Sequence, residues 1–309
     1  MAYIKSYEEF KEAFILELKN NFNGEVVETT VAKNNATVDA VVLRNEGNAA
    51  PTIYPKNAYE DYLHGISLEE LVAKALAYKS ESISMDIATK DYILANVTFQ
   101  LVDSSNNQAL LEEFLNRPFN NLSILYGVAV EMNGMRGAYK VSHKNAESLG
   151  ITEAELYAAA YKNTLSKCYM PSMPEVLARS VWKQVALGAL DRDVAEQIIA
   201  EMELYASNMW VLSNYSQFHG AGSLVVLEDL LELREMSEES FVIFPSSIHE
   251  VILADISFLD MGVDGLLNMV SEVNGTEVAP EEVLTTCFFI YKDGKLEAFT
   301  ANNDSAAFC

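Results

Sequence analysis

The chain has 309 residues, half of them hydrophobic and a tenth aromatic, which excludes a chain without a hydrophobic core. It carries 45 acidic residues against 21 basic ones, a net charge of −24. From Asp193 to the C-terminus there are 21 acidic residues and only three basic ones, Arg234, Lys292 and Lys295. Such a negative half repels nucleic acid and anionic membranes, so we expect no direct nucleic-acid binding and no membrane association.

The cysteines and the first residues favour a cytoplasmic protein. Cys168, Cys287 and Cys309 are an odd number without a CxxC spacing, so neither a disulfide framework nor a zinc site is expected. The opening MAYIKSYEEFKEAF contains acidic side chains and no apolar signal region. No apolar run reaches the roughly 20 residues that span a bilayer. The four histidines lack ligand spacing, and we expect no metal and no cofactor.

The N-terminal stretch predicts a helix followed by a hairpin. Phe10, Phe14 and Leu18 recur every four residues, as on one face of an amphipathic helix. Two β-like runs follow, GEVVETTVAK and ATVDAVVLRN, separated by Asn34-Asn35, a pair that tolerates left-handed backbone. APTIYP predicts a third, short extended piece.

The next segment mixes helices and strands. NAYEDYLHG and SLEELVAKALAYKS predict two helices, the second with a capping box formed by Ser67 and Glu70. DYILANVTFQLVD predicts a strand, and NNQALLEEFLNRP a helix that stops before Pro118. NLSILYGVAVEM and GAYKVS predict a strand pair joined through Asn133-Gly134.

The second half opens with three predicted helices, GITEAELYAAAYKNTLSKC, MPEVLARSVWKQVALGAL and DRDVAEQIIAEMELYA. MWVLSN predicts a strand, FHGAGS a turn, and GSLVVLEDLLELREM a further helix. The end predicts strand, corner, strand, helix and a hairpin around Asp293-Gly294. Because helices and strands do not alternate regularly, we predict an α+β fold with mainly antiparallel sheets in two closely packed lobes, residues 1–145 and an acidic lobe at 146–309.

Four separated motifs, YEDYLHGISLEELV, GITEAELYAAAYKNT, FPSSIHEVI and EVLTTCFFIYKDGKLEAF, resemble a family of uncharacterised proteins from gut Firmicutes, known only as a domain of unknown function. The C-terminal part of the chain also resembles a second uncharacterised cytosolic family of Gram-positive bacteria. The resemblance implies an intracellular bacterial protein with a mixed α+β fold. It implies no activity, so no catalytic residue is carried over from it.

The corner FVIFPSSIHEVILAD contains the candidate catalytic residues. Pro245 is expected to end a strand, and Ser246, Ser247, His249 and Glu250 follow. On an extended chain His249 and Glu250 point to opposite faces, and the motif is neither HExxH nor GxSxG. We interpret it first as a structural corner; a binding surface and a catalytic site remain open. We expect His249 at or near the surface, with no nucleophile beside it.

An acidic segment supplies the second candidate site. We expect Glu228, Glu232 and Glu235 to form one strip of a helix, with Leu227, Leu230, Leu231 and Leu233 buried on the other side. The candidate partner-binding residues of this segment are Glu228, Asp229, Glu232, Glu235, Glu238 and Glu239.

Three functions follow from these observations. The first is a non-enzymatic protein-binding or regulatory factor whose acidic half engages a basic protein surface, and which could inhibit a nucleic-acid-handling machine used in defence. The second is a hydrolase-type enzyme that uses His249. The third is a structural or housekeeping protein.

Overall fold

The computed structural model describes residues 6–44, 52–77, 85–132, 135–206 and 208–300. Within these ranges the chain forms eleven α-helices and thirteen strands, arranged in three antiparallel sheets. The predicted α+β class is therefore confirmed.

The N-terminal elements form a helix-backed sheet. They are α1 (Tyr7–Asn21), β1 (Glu25–Lys33), β2 (Ala36–Arg44), β3 (Thr52–Ile53), α2 (Pro55–Leu63) and α3 (Leu68–Ala77). The sheet order is β1-β2-β3. As the four-residue spacing predicted, Phe10, Phe14 and Leu18 are fully buried on one face of α1. The turn between β1 and β2 includes Asn35 at φ 57°, which confirms the predicted hairpin.

The middle of the chain builds a four-stranded sheet. Its elements are α4 (Lys90–Asn96), β4 (Val97–Asp103), α5 (Gln108–Glu113), β5 (Asn116–Phe119), β6 (Leu122–Met132), β7 (Met135–Lys140), α6 (His143–Leu149) and α7 (Glu153–Lys167). β6 is central: β4 pairs along one side of it, and β5 and β7 share the other. The expected strand pair is thus present, while its predicted turn at Asn133-Gly134 lies outside the described residues. The free edge of β4 is covered by α7, where Thr164 Oγ1 accepts the Phe99 N–H at 3.0 Å.

The remaining residues build a six-stranded sheet of order β13-β12-β10-β11-β9-β8. The elements are β8 (Cys168–Tyr169), α8 (Met173–Ala186), α9 (Arg192–Ala206), β9 (Met209–Asn214), α10 (Leu227–Leu233), β10 (Phe241–Ser247), β11 (Glu250–Asp255), α11 (Gly262–Thr276), β12 (Phe288–Lys292) and β13 (Lys295–Phe299). Val251 and Leu253 point into the main core, whereas Ile252 and Ala254 pack with residues of α11. The sheet is thus covered on both faces.

Two predicted boundaries near Val97 and Pro118 are wrong. DYILANV begins as α4, capped by Thr89, before β4 starts, because a seven-residue helix is too short for its periodicity to separate it from a strand. Pro118 lies inside β5 rather than after a helix. Among the described strands β5 pairs with β6 alone, and such an edge strand tolerates a residue without an N–H.

Pro245 does not end a strand either. β10 continues to Ser247 through a bulge between Pro245 and Ser247. Beyond Ile243, β10 pairs with β11 but no longer with β12, so the missing N–H of Pro245 interrupts no ladder on that side.

The main hydrophobic core joins the middle of the chain to its end. One buried cluster contains residues from Ile93 to Tyr291 and spans the predicted boundary between residues 145 and 146. The N-terminal elements α1 to α3 have a separate cluster. Their hairpin turn reaches the remainder through Asn34, whose Nδ2 donates to the carbonyl oxygen of Val283 at 2.8 Å. The division into residues 1–145 and 146–309 stays a prediction.

The hairpin around Asp293-Gly294 has the expected geometry, with φ values of 52° and 72° between the paired Lys292 and Lys295. Gly294→Val should lower the unfolding free energy by about 1 kcal/mol or more, because a β-branched residue is strained at positive φ. Thermal unfolding measures this as a melting temperature lower by roughly 2 °C. Gly294→Asn is the control, since Asn tolerates this backbone region, and equal melting of both variants would contradict the argument.

Candidate functional site

The corner between β10 and β11 is a tight connection made by Ile248 and His249. Ser247 pairs with Glu250 across the hairpin. The Ser247 side-chain oxygen accepts the backbone N–H of His249 at 3.0 Å. This serine therefore stabilises the turn, as serines in such positions commonly do. Ser246 and Glu250 are half-buried beside it.

The imidazole of His249 is held by the loop that follows β9. His249 Nδ1 accepts the backbone N–H of His219 at 3.0 Å, which places the ring proton on Nε2. Nε2 lies 3.5 Å from Glu282 Oε1, and the side chain is 24% exposed. Within the described ranges, no hydroxyl or thiol makes a hydrogen bond with this ring. A Ser–His dyad is not formed at this corner.

His219 was missed as a site residue in the sequence. It adopts φ 52°, a conformation uncommon for a non-glycine residue. Its ring centroid lies 5.6 Å from that of His249 and 4.4 Å from that of Phe218. The two histidines lie far apart in the chain, and no local spacing signals their contact. FHGAGS was interpreted as a turn and helix start, and it leads into a buried 3₁₀ segment, Gly220–Val226, before α10.

The surroundings keep His219 neutral. Burial, together with the charges of Lys140 and His249, lowers the pKa of His219 to about 3. Its imidazole is only partly exposed. At neutral pH it is therefore an uncharged aromatic ring rather than a cation or a general acid.

The acidic segment is only partly helical, which corrects the predicted strip. α10 ends at Leu233, and Glu235 lies beyond it at φ 60°. Glu228 and Glu232 thus share the helix, but Glu235 does not continue their row. Leu233 is 71% exposed instead of buried. The chain turns here in a Schellman motif: the N–H of Met236 donates to the carbonyl of Leu231, and the N–H of Glu235 donates to the carbonyl of Glu232.

Five of the six predicted partner-binding residues have exposed side chains: Glu228, Glu232, Glu235, Glu238 and Glu239. Asp229 is half-buried and accepts a hydrogen bond from Tyr161; burial of the tyrosine and this hydrogen bond raise its pKa. None of the six forms an ion pair with a described residue.

Two of the three basic residues that follow Asp193, Lys292 and Lys295, lie at one end of this segment, and the third, Arg234, lies within it. A β-carbon at Gly294 would lie 3.5 Å from Glu228 Oε1, so the turn between Lys292 and Lys295 lies against Glu228. Glu232, Glu235, Glu238 and Glu239 lie further along the segment, on either side of the exposed Arg234.

Two broader properties concern metals and membranes. In the part of the chain that the structure describes, no three His, Cys, Asp or Glu side chains cluster closely enough to hold a metal ion. None of the described helices combines the length and apolar character needed to cross a bilayer. Cys168 and Cys287 are free thiols, and Cys309 lies outside the described residues.

Residues 7–293 match the model of a family of unknown function, DUF5688. The chain belongs to this family. The predicted membership in a domain family of unknown function is thus confirmed, whereas the gut Firmicutes origin and the second resemblance stay predictions. No curated protein and no solved structure matches the DUF5688 chain.

The neutral His219 should make the fold less stable in mild acid. In the unfolded chain a histidine titrates near pH 6.5, whereas folded His219 titrates at about 3. Between these values the unfolded state binds the additional proton, so stability falls as pH falls. We expect His219 to account for about 1–2 kcal/mol of the loss in unfolding free energy between pH 7 and pH 5, measured with urea.

The matched pair for this test is His219→Asn and His143→Asn. Asn tolerates the positive φ of residue 219, and His143 is an exposed histidine at the start of α6. The stability of His219→Asn should lose that part of its pH dependence, whereas the stability of His143→Asn should keep it. Equal pH dependence in both variants would show that His219 is not the group that resists protonation.

Gly220 should be irreplaceable because it lets the loop approach the corner. A β-carbon there would overlap Ser213 Oγ and lie 2.5 Å from the carbonyl oxygen of His249. Gly220→Ala should cost about 1–3 kcal/mol of unfolding free energy, since part of the obstruction is backbone. Gly275→Ala in α11, where no atom lies within 4 Å, should cost nothing or stabilise. Comparable destabilisation by both would refute the packing argument.

Proposed function

We propose that this DUF5688 chain is a non-enzymatic protein-binding or regulatory factor whose acidic segment, residues 228–239, engages a basic partner surface. The observation that carries the proposal is the set of exposed carboxylates from Glu232 to Glu239 that form no ion pair within the described part of the chain. Like charges that lie close together repel, and a cationic partner relieves that repulsion.

The geometry around His249 supports a binding role over the hydrolase-type alternative. A general base must reach the proton that it abstracts, and a nucleophile must lie beside it. Nδ1 of His249 already accepts the backbone N–H of His219. The side-chain oxygen of Ser247 already accepts the backbone N–H of His249 in the turn. No comparable observation favours a purely structural or housekeeping role.

The partner is defined by its chemistry. A surface that normally holds nucleic acid is rich in Lys and Arg, and it therefore complements a row of carboxylates. An inhibitor of a nucleic-acid-handling machine would act by occupying such a surface. A cytoplasmic location belongs to the same proposal, and the free thiols of Cys168 and Cys287 are consistent with a reducing compartment.

The test removes charge without removing size. We expect Glu232→Gln, Glu238→Gln and Glu239→Gln together to abolish capture of a basic protein from the native host at about 0.15 M salt, with melting unchanged or higher. Capture is measured by affinity purification and mass spectrometry. Wild-type capture should weaken steeply as salt rises.

The control is a triple variant with the same charge change elsewhere: Glu12→Gln, Glu60→Gln and Glu69→Gln. These three carboxylates are exposed on α1, α2 and α3. The control should retain the basic partner. If both triple variants lose that partner, capture depends on net charge and not on the acidic segment. If both retain it, the proposal is overturned.

A further inference from the structure

A cavity of about 400 Å³ lies between the four-stranded sheet and the loop that follows β9. On the sheet side it is lined by small residues of β6 and β7, namely Gly127, Ala129, Gly137 and Ala138. On the loop side it is lined by Tyr215, Ser216, Phe218 and His219. The volume falls within the range of small-molecule sites, and the small side chains are what leaves the space open.

Gln100 is the buried polar group of this cavity. It lines the cavity but is only 3% exposed, and its Oε1 atom has no hydrogen-bond partner. Leaving such an atom unpaired destabilises the fold, because the atom loses its water without gaining a partner. The amide lies over Gly127, where a β-carbon would overlap Gln100 Nε2. The glycine thus makes room for an amide that the fold itself does not satisfy.

The charge around the cavity is opposite to that of the protein. None of the fifteen described residues that line it is acidic, although the chain has 45 acidic residues. Lys167 lines it without an ion-pair partner among the described residues, and burial lowers the pKa of this lysine. Lys140 pairs in register with Gly127, and its charge reaches His219. An anion would compensate these partly buried cations.

Aromatic rings provide the walls. Phe218 is 43% exposed and Tyr215 is 72% exposed at the loop, and Tyr92 lines the opposite part of the cavity. Flat rings beside a floor of glycine and alanine suit a planar ligand, which can stack on the aromatic faces. The Gln100 amide offers a hydrogen-bond donor beside an acceptor. Rotation about its terminal torsion is easy and exchanges the positions of the donor and the acceptor. A planar ring with an adjacent donor and acceptor matches this pair, as a nucleobase edge does.

We propose that the cavity binds a nucleoside monophosphate, with the base hydrogen-bonded to Gln100 beside Phe218 and the phosphate next to Lys167. This site is independent of the acidic segment. The two proposals can therefore fail separately. A variant that no longer binds the nucleotide should still capture the basic partner, and a variant that no longer captures the partner should still bind the nucleotide.

Isothermal titration of the full chain with AMP, GMP, CMP and UMP at about 0.15 M salt tests the site. At least one of the four should bind with a Kd below about 1 mM, and its nucleoside should bind about tenfold more weakly because it lacks the anion. Inorganic phosphate alone should not compete. The site is refuted if none of the four binds at this concentration, or if phosphate binds as tightly as the nucleotide.

Two variants connect the binding to the named residues. Gln100→Leu should weaken nucleotide binding about tenfold. It should not lower the melting temperature of the free protein, because it removes an amide whose oxygen has no partner. A purely structural role for Gln100 predicts the opposite, a lower melting temperature with unchanged affinity. Gly127→Ala should displace the amide and also weaken binding.

Lys167→Met should weaken binding of the monophosphate about tenfold and leave the affinity for its nucleoside unchanged. Lys162→Met, an exposed lysine on the same helix α7, is the control and should leave both affinities unchanged. Equal effects of the two lysine variants would place the phosphate elsewhere and overturn the assignment.

Discussion

The close approach of the 3₁₀ segment Gly220–Val226 to the edge of β4 joins the two larger sheets of this protein. A β-carbon at Gly222 would overlap the carbonyl group of Phe99, and one at Gly220 would collide with the chain at Ser213 and His249. Only glycine permits two backbones to lie this close. Together with α7, the contact covers the edge of β4, and it brings the loop before it, with Phe218 and His219, against the four-stranded sheet.

The same close approach also positions the polar groups of His219 and His249. His219 donates its backbone N–H to His249, and its ring lies close enough to Lys140 for that charge to oppose its protonation. At the corner with the residue types of a catalytic site, the side-chain oxygen of Ser247 serves the turn and Nδ1 of His249 holds the loop. A buried amide oxygen without a hydrogen-bond partner lies instead at Gln100, on β4.

Charge is distributed in two opposite ways. The carboxylates from Glu232 to Glu239 lie on the surface and form no ion pair with the described residues, whereas the described lining of the cavity contains Lys167 and no acidic residue. In water, exposed carboxylates cost little; partly buried ammonium groups cost more because they lose hydration. The two surfaces thus favour different partners, a basic protein at the segment and a small anion in the cavity.

The sequence by itself determined the local elements whose signals act within a few residues. The capping box at Ser67, the Asn34-Asn35 and Asp293-Gly294 hairpins and the α+β class are all present as expected. These features depend on hydrogen bonds and backbone preferences over three or four positions.

The sites depended on tertiary structure. Whether Glu235 continued a helix was decided by the turn that brings Met236 back to Leu231 and the core. The contacts of His219 with His249, and of Gln100 with Gly127, join residues that lie far apart in the chain. Periodicity carries no information over such separations, because only the packing of one sheet against another decides which side chains meet and which polar atom is left without a partner.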